Sequence, residues 1–329
     1  MKKITIFTIL LAFSLVFFAF QAEALTISPA KFILSANPGE IIETQMSVRN
    51  DQDRTATYYP DFQRYTTRGD EPVFIPEKTD LASWIETNPT QITLNSKETG
   101  NISVFIKIPE DAEPGGHYAA IFWSSAPPQK TGESGVSIVT RVGALVLLEI
   151  SGNVVESGEI VSFKAEKTLF SRLPVSFSYD LKDTGTVHIG PGGKVVIKNI
   201  FGRTSAILEV NPLKYYVLPG MIRNFPTANW EPKGGMPKIE GEGFFTELKR
   251  ELKGFALGYY RANLSLEYGK EEIKTLKAGF GFWVFPWRIL IFVFLVLGIL
   301  LLGLTKGIGA YNRWIINKVR ASLDDKKKS

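Results

Sequence analysis

The sequence predicts an all-β chain of two β-sandwiches followed by a single C-terminal transmembrane helix. Three observations carry that reading. Short runs of alternating hydrophobicity, broken by turn residues, fill residues 25–282; sixteen consecutive apolar or glycine residues occupy 289–304; and basic residues concentrate at the two ends of the chain.

The chain opens Met1-Lys2-Lys3 and continues through an apolar stretch, 4–20, to Gln21-Ala22-Glu23-Ala24-Leu25. A basic start, an apolar run and small residues before a cleavage point are the marks of a secretory signal, so 1–24 is read as a signal peptide. Whether the run is cleaved or retained as an anchor, residues 25–282 are expected on the far side of the membrane.

Residues 25–152 read as the first sandwich. Ile42, Thr44, Met46 and Val48 share one strand face, as do Ile102, Val104, Ile106 and Ile108. Breakers separate the runs: Pro38-Gly39, Asn50 to Asp53, Arg68-Gly69-Asp70 at a hairpin tip, and 109–116 before a strand at 118–123. A polar loop at 125–135 precedes a long apolar strand, 136–150, expected to be buried on both faces. Residues 153–282 repeat this pattern as a second sandwich, with strands at 160–164, 175–181, 194–200, 205–210 and 261–268. One insert interrupts the rhythm: a glycine-rich loop from Lys233 is followed by a short helix, 244–253, that Gly254 stops. Phe244, Phe245, Leu248, Leu252 and Phe255 make an apolar stripe on that helix. It reads as a plug for one end of the sandwich, or as a contact for membrane or partner.

Pro286 suits a first helical position, and a helix from there to Leu304 reaches roughly 28 Å, close to the thickness of a bilayer's hydrocarbon core. Residues 283–305 are therefore read as the span. Trp283 and Trp287 form an aromatic belt at the outer interface, and Arg288 is expected to snorkel outward. Seven basic residues then stand against Asp324 and Asp325 in a tail, 306–329, that the charge bias places in the cytoplasm. Tyr311, Trp314, Ile315, Val319 and Leu323 recur there at helical spacing, so the tail reads either as a stop-transfer segment with no further duty or as a helix lying against the inner leaflet, with Trp314 at the membrane surface.

The formal net charge of +5 arises at those ends, and residues 25–282 are close to neutral, which removes the electrostatic case for a nucleic-acid partner. The absence of cysteine excludes disulfides, thiolate metal sites and thiol nucleophiles. No catalytic or phosphate-binding motif occurs, and no cofactor is expected. His117 and His188 are read as structural or merely exposed and not as metal ligands, because the sequence places no carboxylate partners beside them. The protein is expected not to be an enzyme. Trp84 and Trp123 are assigned to the core. The Asn101 and Asn263 sequons fall inside strands, where a buried face argues against glycosylation.

The most suggestive stretch is Tyr58-Tyr59-Pro60-Asp61-Phe62-Gln63-Arg64-Tyr65. On a strand, Tyr58 and Phe62 share one face and Tyr59 and Tyr65 the other, so one set packs inward and the other faces solvent. Exposed rings beside Asp61, Gln63 and Arg64 suit a sugar-binding face: flat apolar surfaces rimmed by polar groups.

The order of features resembles the WxL-interacting proteins of bacterial surfaces. The matching residues are Pro38-Gly39-Glu40, Val48-Arg49-Asn50, Gly69, Ile108-Pro109, Pro114-Gly115-Gly116-His117-Tyr118 and Arg141-Val142-Gly143-Ala144. That resemblance implies two immunoglobulin-like domains, peptidoglycan binding by the first, partner binding by the second, and a single membrane anchor. The leading expectation is a membrane-anchored binding protein for cell-wall glycan or another surface component. The alternative is a membrane-tethered assembly factor that binds surface-protein strands at a sheet edge.

Overall fold

The computed structural model describes residues 25–127, 141–236, 238–270 and 272–328, with 318–328 as backbone alone. The expected signal peptide lies outside these residues, as do most of the polar loop and the start of the strand after it. Two compact units are formed. The first takes residues up to Gly158 together with Lys182–Ile189 and Val217–Ile222, and the second takes Glu159–Leu181, Gly190–Tyr216 and everything from Arg223 onward.

In chain order the first unit contains β1 (Leu25–Ser28), β2 (Lys31–Ala36), β3 (Ile41–Asn50), β4 (Ala56–Arg68), β5 (Glu71–Ile75), the single turn α1 (Leu81–Trp84), β6 (Ile85–Asn88), β7 (Ile92–Leu94), β8 (Thr99–Lys107), β9 (Gly115–Ser124) and β10 (Arg141–Ile150). One sheet runs β1-β3-β8-β6 and the other β2-β10-β9-β4-β5, with β7 also on β4. The first strand is split between the sheets: β1 pairs antiparallel with β3, and β2 pairs parallel with β10 from Lys31↔Leu145 to Ala36↔Ile150. A first strand shared between two packed antiparallel sheets makes this an immunoglobulin-like sandwich. Period-two alternation builds its core. Met46 and Val48 of β3 and Ile102, Val104 and Ile106 of β8 meet Tyr58, Trp123 and Leu148 from the facing sheet. The expected hairpin tip is present at Gly69-Asp70, where Arg68 pairs Glu71 and Gly69 takes the positive φ of 61° that glycine tolerates best.

The second unit continues with β11 (Gly158–Ala165), β12 (Leu169–Phe170), β13 (Phe177–Asp183), β14 (Gly192–Asn199), β15 (Thr204–Glu209), β16 (Ile222–Pro226), α2 (Phe244–Lys253), β17 (Gly258–Tyr268), β18 (Lys274–Val284) and α3 (Trp287–Lys328). Its sheets run β11-β13-β16 and β12-β18-β17-β14-β15. The first strand is split here too, and β12 pairs parallel with the end of β18. Helix α2 has the expected limits. Gly254 stops it without a left-handed φ: its N–H donates to Arg250 O at 2.8 Å and its carbonyl accepts from Leu173, an approach that leaves no room for a Cβ. Three strands, β12, β16 and β18, were not expected from the sequence. Helix α3 is one helix long and apolar enough to cross a membrane, and it does not stop at residue 305. Its 42 residues reach about 63 Å, so the basic tail continues the same helix.

Asn50, the last residue of β3, is fully buried and fully satisfied. Its amide donates to the carbonyls of Arg54 (2.8 Å), Leu94 (3.0 Å) and Asn95 (3.0 Å), while its oxygen accepts from the Gln52 N–H (3.0 Å) and the Tyr58 hydroxyl (2.7 Å). Asn50→Ala leaves several buried groups without a partner at once, at about 1–3 kcal/mol each, so a loss of ~3 kcal/mol or more is expected. Tyr58→Phe removes one hydrogen bond and should cost about 1 kcal/mol. Urea unfolding of the detergent-solubilised chain checks both; equal losses would contradict the network.

Candidate binding surfaces

The aromatic stretch lies on β4, between β9 and the edge strand β5 of the first unit's larger sheet. Tyr58 is fully buried and Phe62 packs against the same core, as expected for the inward face. The other face departs from expectation. Tyr65 is only 7% exposed and Gln63 is buried, because the outer surface of the sheet carries its own aromatic cover. Tyr65 sits opposite Phe74 of β5 (ring centroids 5.7 Å apart), and Phe74 meets Phe122 of β9 edge-on at 4.9 Å. The Arg141 guanidinium lies 3.6 Å from the Phe122 ring centre and pairs with Asp61 at 2.9 Å. Gln63 donates to the same carboxylate at 2.8 Å. The sequence could not show this because the covering residues come from three other strands. Tyr59 is half-buried beside Ser124, and Arg64 is exposed near the end of β4. The five residues share one strand but do not form one open face.

The two histidines have partners that the sequence did not reveal. His117 Nδ1 lies 2.6 Å from the Asp80 carboxylate, its Nε2 lies 2.8 Å from Glu113 O, and its ring packs on Trp84. The expectation that no carboxylate lies beside it is therefore corrected: α1 carries Asp80 across 37 residues of sequence to meet it. His188 is buried, and its backbone N–H donates to the Tyr118 hydroxyl at 2.9 Å. Near it, Asp183 is fully buried in the turn Asp183-Thr184-Gly185-Thr186 and accepts the Gly185 N–H at 2.8 Å. Among the described residues no cluster of His and carboxylate groups has the size of a metal site. Asn101, one of the sequon residues, is exposed on β8, since strand residues alternate between faces.

Among the edges that the described residues leave open is most of one side of β18. Tyr268↔Lys274 through Gly258↔Val284 pair it along its length with β17, whereas β12 covers only Trp283 and Val284 on the other side. The Trp283 N–H donates to Thr168 O at 2.9 Å and the Phe285 N–H to Phe170 O at 2.7 Å, which fixes the parity of that edge. Thr275, Lys277, Gly279 and Gly281 therefore turn their backbone groups to the side where, among the described residues, no strand pairs. A groove of 760 Å³ runs along the sheet face beside it, lined among others by Lys198, Arg261, Asn263, Lys277 and Gly279 and by no acidic residue. Tyr259 lies across Gly281, filling the place of a Cβ. The sequence signal for this strand was present: Leu276, Ala278, Phe280, Phe282 and Val284 alternate at period two.

Around the start of α3 Trp283 and Trp287 are exposed, and further along it Trp314 is exposed and stacked on Tyr311. Arg288 does not snorkel outward. Its guanidinium donates to the fully buried Glu251 of α2 at 2.8 Å and lies over the Trp287 ring. Glu251 also accepts the backbone N–H groups of Arg288 (3.1 Å) and Ile289 (3.2 Å), so one carboxylate caps the long helix and pairs with its first cation.

The molecule is thus a pair of immunoglobulin-like sandwich units continued by one long apolar helix. Comparison with protein-family models and with curated protein sequences finds no match. Among solved structures the chain is similar to the class 5 fimbriae chaperone CfaA, at 11% identity and a TM-score of 0.38, over 78% of this chain and 98% of that one. It is also similar to the Pseudomonas aeruginosa CupB2 chaperone (9% identity, TM-score 0.35, 79% and 100%) and the E. coli chaperone DraB (11%, 0.35, 78% and 98%). These are distant likenesses.

Burial pushes the Asp183 carboxyl up to about 7, helped by the nearby Glu156 and opposed by hydrogen bonds from backbone N–H groups. Burial alone would lower His117, but Asp80 and Glu113 outweigh it and raise it above 6.5. Both groups bind protons more tightly folded than unfolded. Stability from Asp183 is therefore fully present below the ordinary value of 3.8 and is lost as pH rises to about 7; that from His117 is lost as pH rises past its raised value. Urea midpoints should fall across that range, and Asp183→Asn should flatten the lower part of the curve. A variant profile parallel to the parent's would contradict the assignment.

Proposed function

We propose that the protein is a non-enzymatic, membrane-tethered assembly factor that holds an extended segment of another surface protein by adding it as a strand to the open edge of β18. The observation that supports this is the run 275–281, where the backbone groups of four alternate residues face a side on which no described strand pairs, and two of those residues are glycines. Strand addition draws its affinity from main-chain hydrogen bonds and its specificity from the side chains of alternate residues. The groove beside the edge supplies cations for the latter, favouring a partner strand with acidic or polar side chains on that face. Lysine at 277 also discourages the edge from pairing with a second copy of itself.

The long apolar helix would serve as the single-pass anchor, with the sandwiches outside and the basic end in the cytoplasm. The wall-glycan reading rested on exposed rings of β4 and on the resemblance to WxL-interacting proteins, for which no family model matches. Tyr65 is covered, and only Tyr59 is left to offer a partly open ring.

Gly279→Pro discriminates the two. The N–H at 279 faces the open side, so proline removes a donor from the edge and no hydrogen bond of the ladder to β17; its Cβ stands 3.1 Å from Ala262 O, so that strand yields by a few tenths of an ångström. Capture of surface proteins stripped from the producing cells' membranes should weaken at least about tenfold, the equivalent of one or two backbone hydrogen bonds at roughly 1 kcal/mol each. Exchange of the 275, 277, 279 and 281 amides should slow in the parent complex. Tyr59→Ala should bind as the parent does. Loss of capture in Tyr59→Ala with retention in Gly279→Pro, or sedimentation of the chain with purified cell wall, would overturn the edge in favour of the ring face.

A further inference from the structure

We infer that α2 is a second membrane contact, bedding the apolar flank of its helix and the loop after it into the interface beside the start of α3. This rests on the reading of α3 as a membrane span. Of the stripe that the sequence marks on α2, only Leu248 is buried; Phe245 is 70% exposed and Leu252 57%, and Phe255 and Leu257 in the following loop are also exposed. Large side chains grouped in this way on a soluble surface mark a binding face.

Position identifies what covers them. The buried Glu251 carboxylate holds the N–H groups of the second and third residues of α3, Arg288 and Ile289, and the Arg288 side chain, so α2 is pinned to the turn at which the helix begins. The unbroken apolar run starts at Ile289, one of the two residues whose N–H it holds. Two packed helices lie about 8–10 Å apart, and an interfacial helix buries its apolar face about 5–10 Å into the boundary between headgroups and acyl chains. A helix pinned there cannot stand clear of that zone. The neighbours agree: Trp283, Phe285 and Trp287 are exposed around the same junction. Lys249 and Lys253 lie on the polar flank of α2, where phosphate headgroups would meet them, while Arg250 and Arg172 are tied to Glu247 on the side facing the protein. The resulting site fixes the tilt of the sandwich on the membrane as well as its tether.

The chain contains no cysteine, so a single introduced cysteine carries a spin label without ambiguity. The full chain, reconstituted in phosphatidylcholine–phosphatidylglycerol vesicles, is labelled in turn as Phe245→Cys, Leu252→Cys, Leu295→Cys within the apolar run, and Glu267→Cys. Glu267 is exposed on β17, nine residues beyond Gly258 and about 30 Å along the strand. Collision with oxygen relative to a water-soluble nickel chelate reports depth. Labels at 245 and 252 should give a ratio several-fold above that at 267 and approaching that at 295. If 295 is lipid-like while 245 and 252 match 267, the α2 contact is wrong and the span stands. Should 295 itself match 267, the span reading fails first. Labels at 245 and 252 shielded from both reagents, and released on dilution of protein into lipid, would mean that a second copy covers the helix, and would overturn the proposal.

Discussion

Both units depend on the same topological device, a first strand divided between two packed sheets. A sandwich has to hold its sheets together at their edges, and a strand that begins on one and finishes on the other does so with a single short crossing. The two units apply it unequally. In the first, β2 runs six residues along β10, whereas in the second, β12 touches only the last two residues of β18. Backbone groups left without a ladder need water or a partner strand. The shortness of β12 therefore leaves most of one side of β18 without a ladder among the described residues.

Buried polar groups fix the parts that packing alone would leave loose. Asn50 ties the end of β3 to the loops around Arg54 and Asn95, and every hydrogen-bonding atom of its side chain is used. Glu251 does the same at the other end of the chain, where an unpaired buried carboxylate would be costly and a helix start offers free donors. Each trades solvation for a defined geometry. The second ties α2 to the first turn of the long apolar helix.

The sheet face around β4 shows how a surface can look like a site in sequence and be something else. Rings and polar groups alternate along Tyr58 to Tyr65 as they would in a glycan-binding strand. In the folded sheet Phe74, Phe122 and Arg141 pack with the outer set, so the same pattern covers a sheet face against which, among the described residues, no second sheet packs. Strand periodicity distinguishes two faces but does not say what neighbouring strands lay upon each.

The sequence by itself determined the elements whose information is local. Alternation at Ile102, Val104 and Ile106, the Gly69 hairpin, the limits of α2 and the apolar run of α3 follow from side-chain period and from turn chemistry, which act over a few residues. It also held the alternation of β18, although the glycines at 279 and 281 obscured the pattern on its outer face. Only the tertiary structure decided what meets across long separations. Asp80 finds His117, Glu251 finds the backbone of Arg288 and Ile289, Phe74 covers Tyr65, and β12 stops two residues into its pairing with β18. Those contacts depend on strand order and register, which many sequences with the same local periods would set differently.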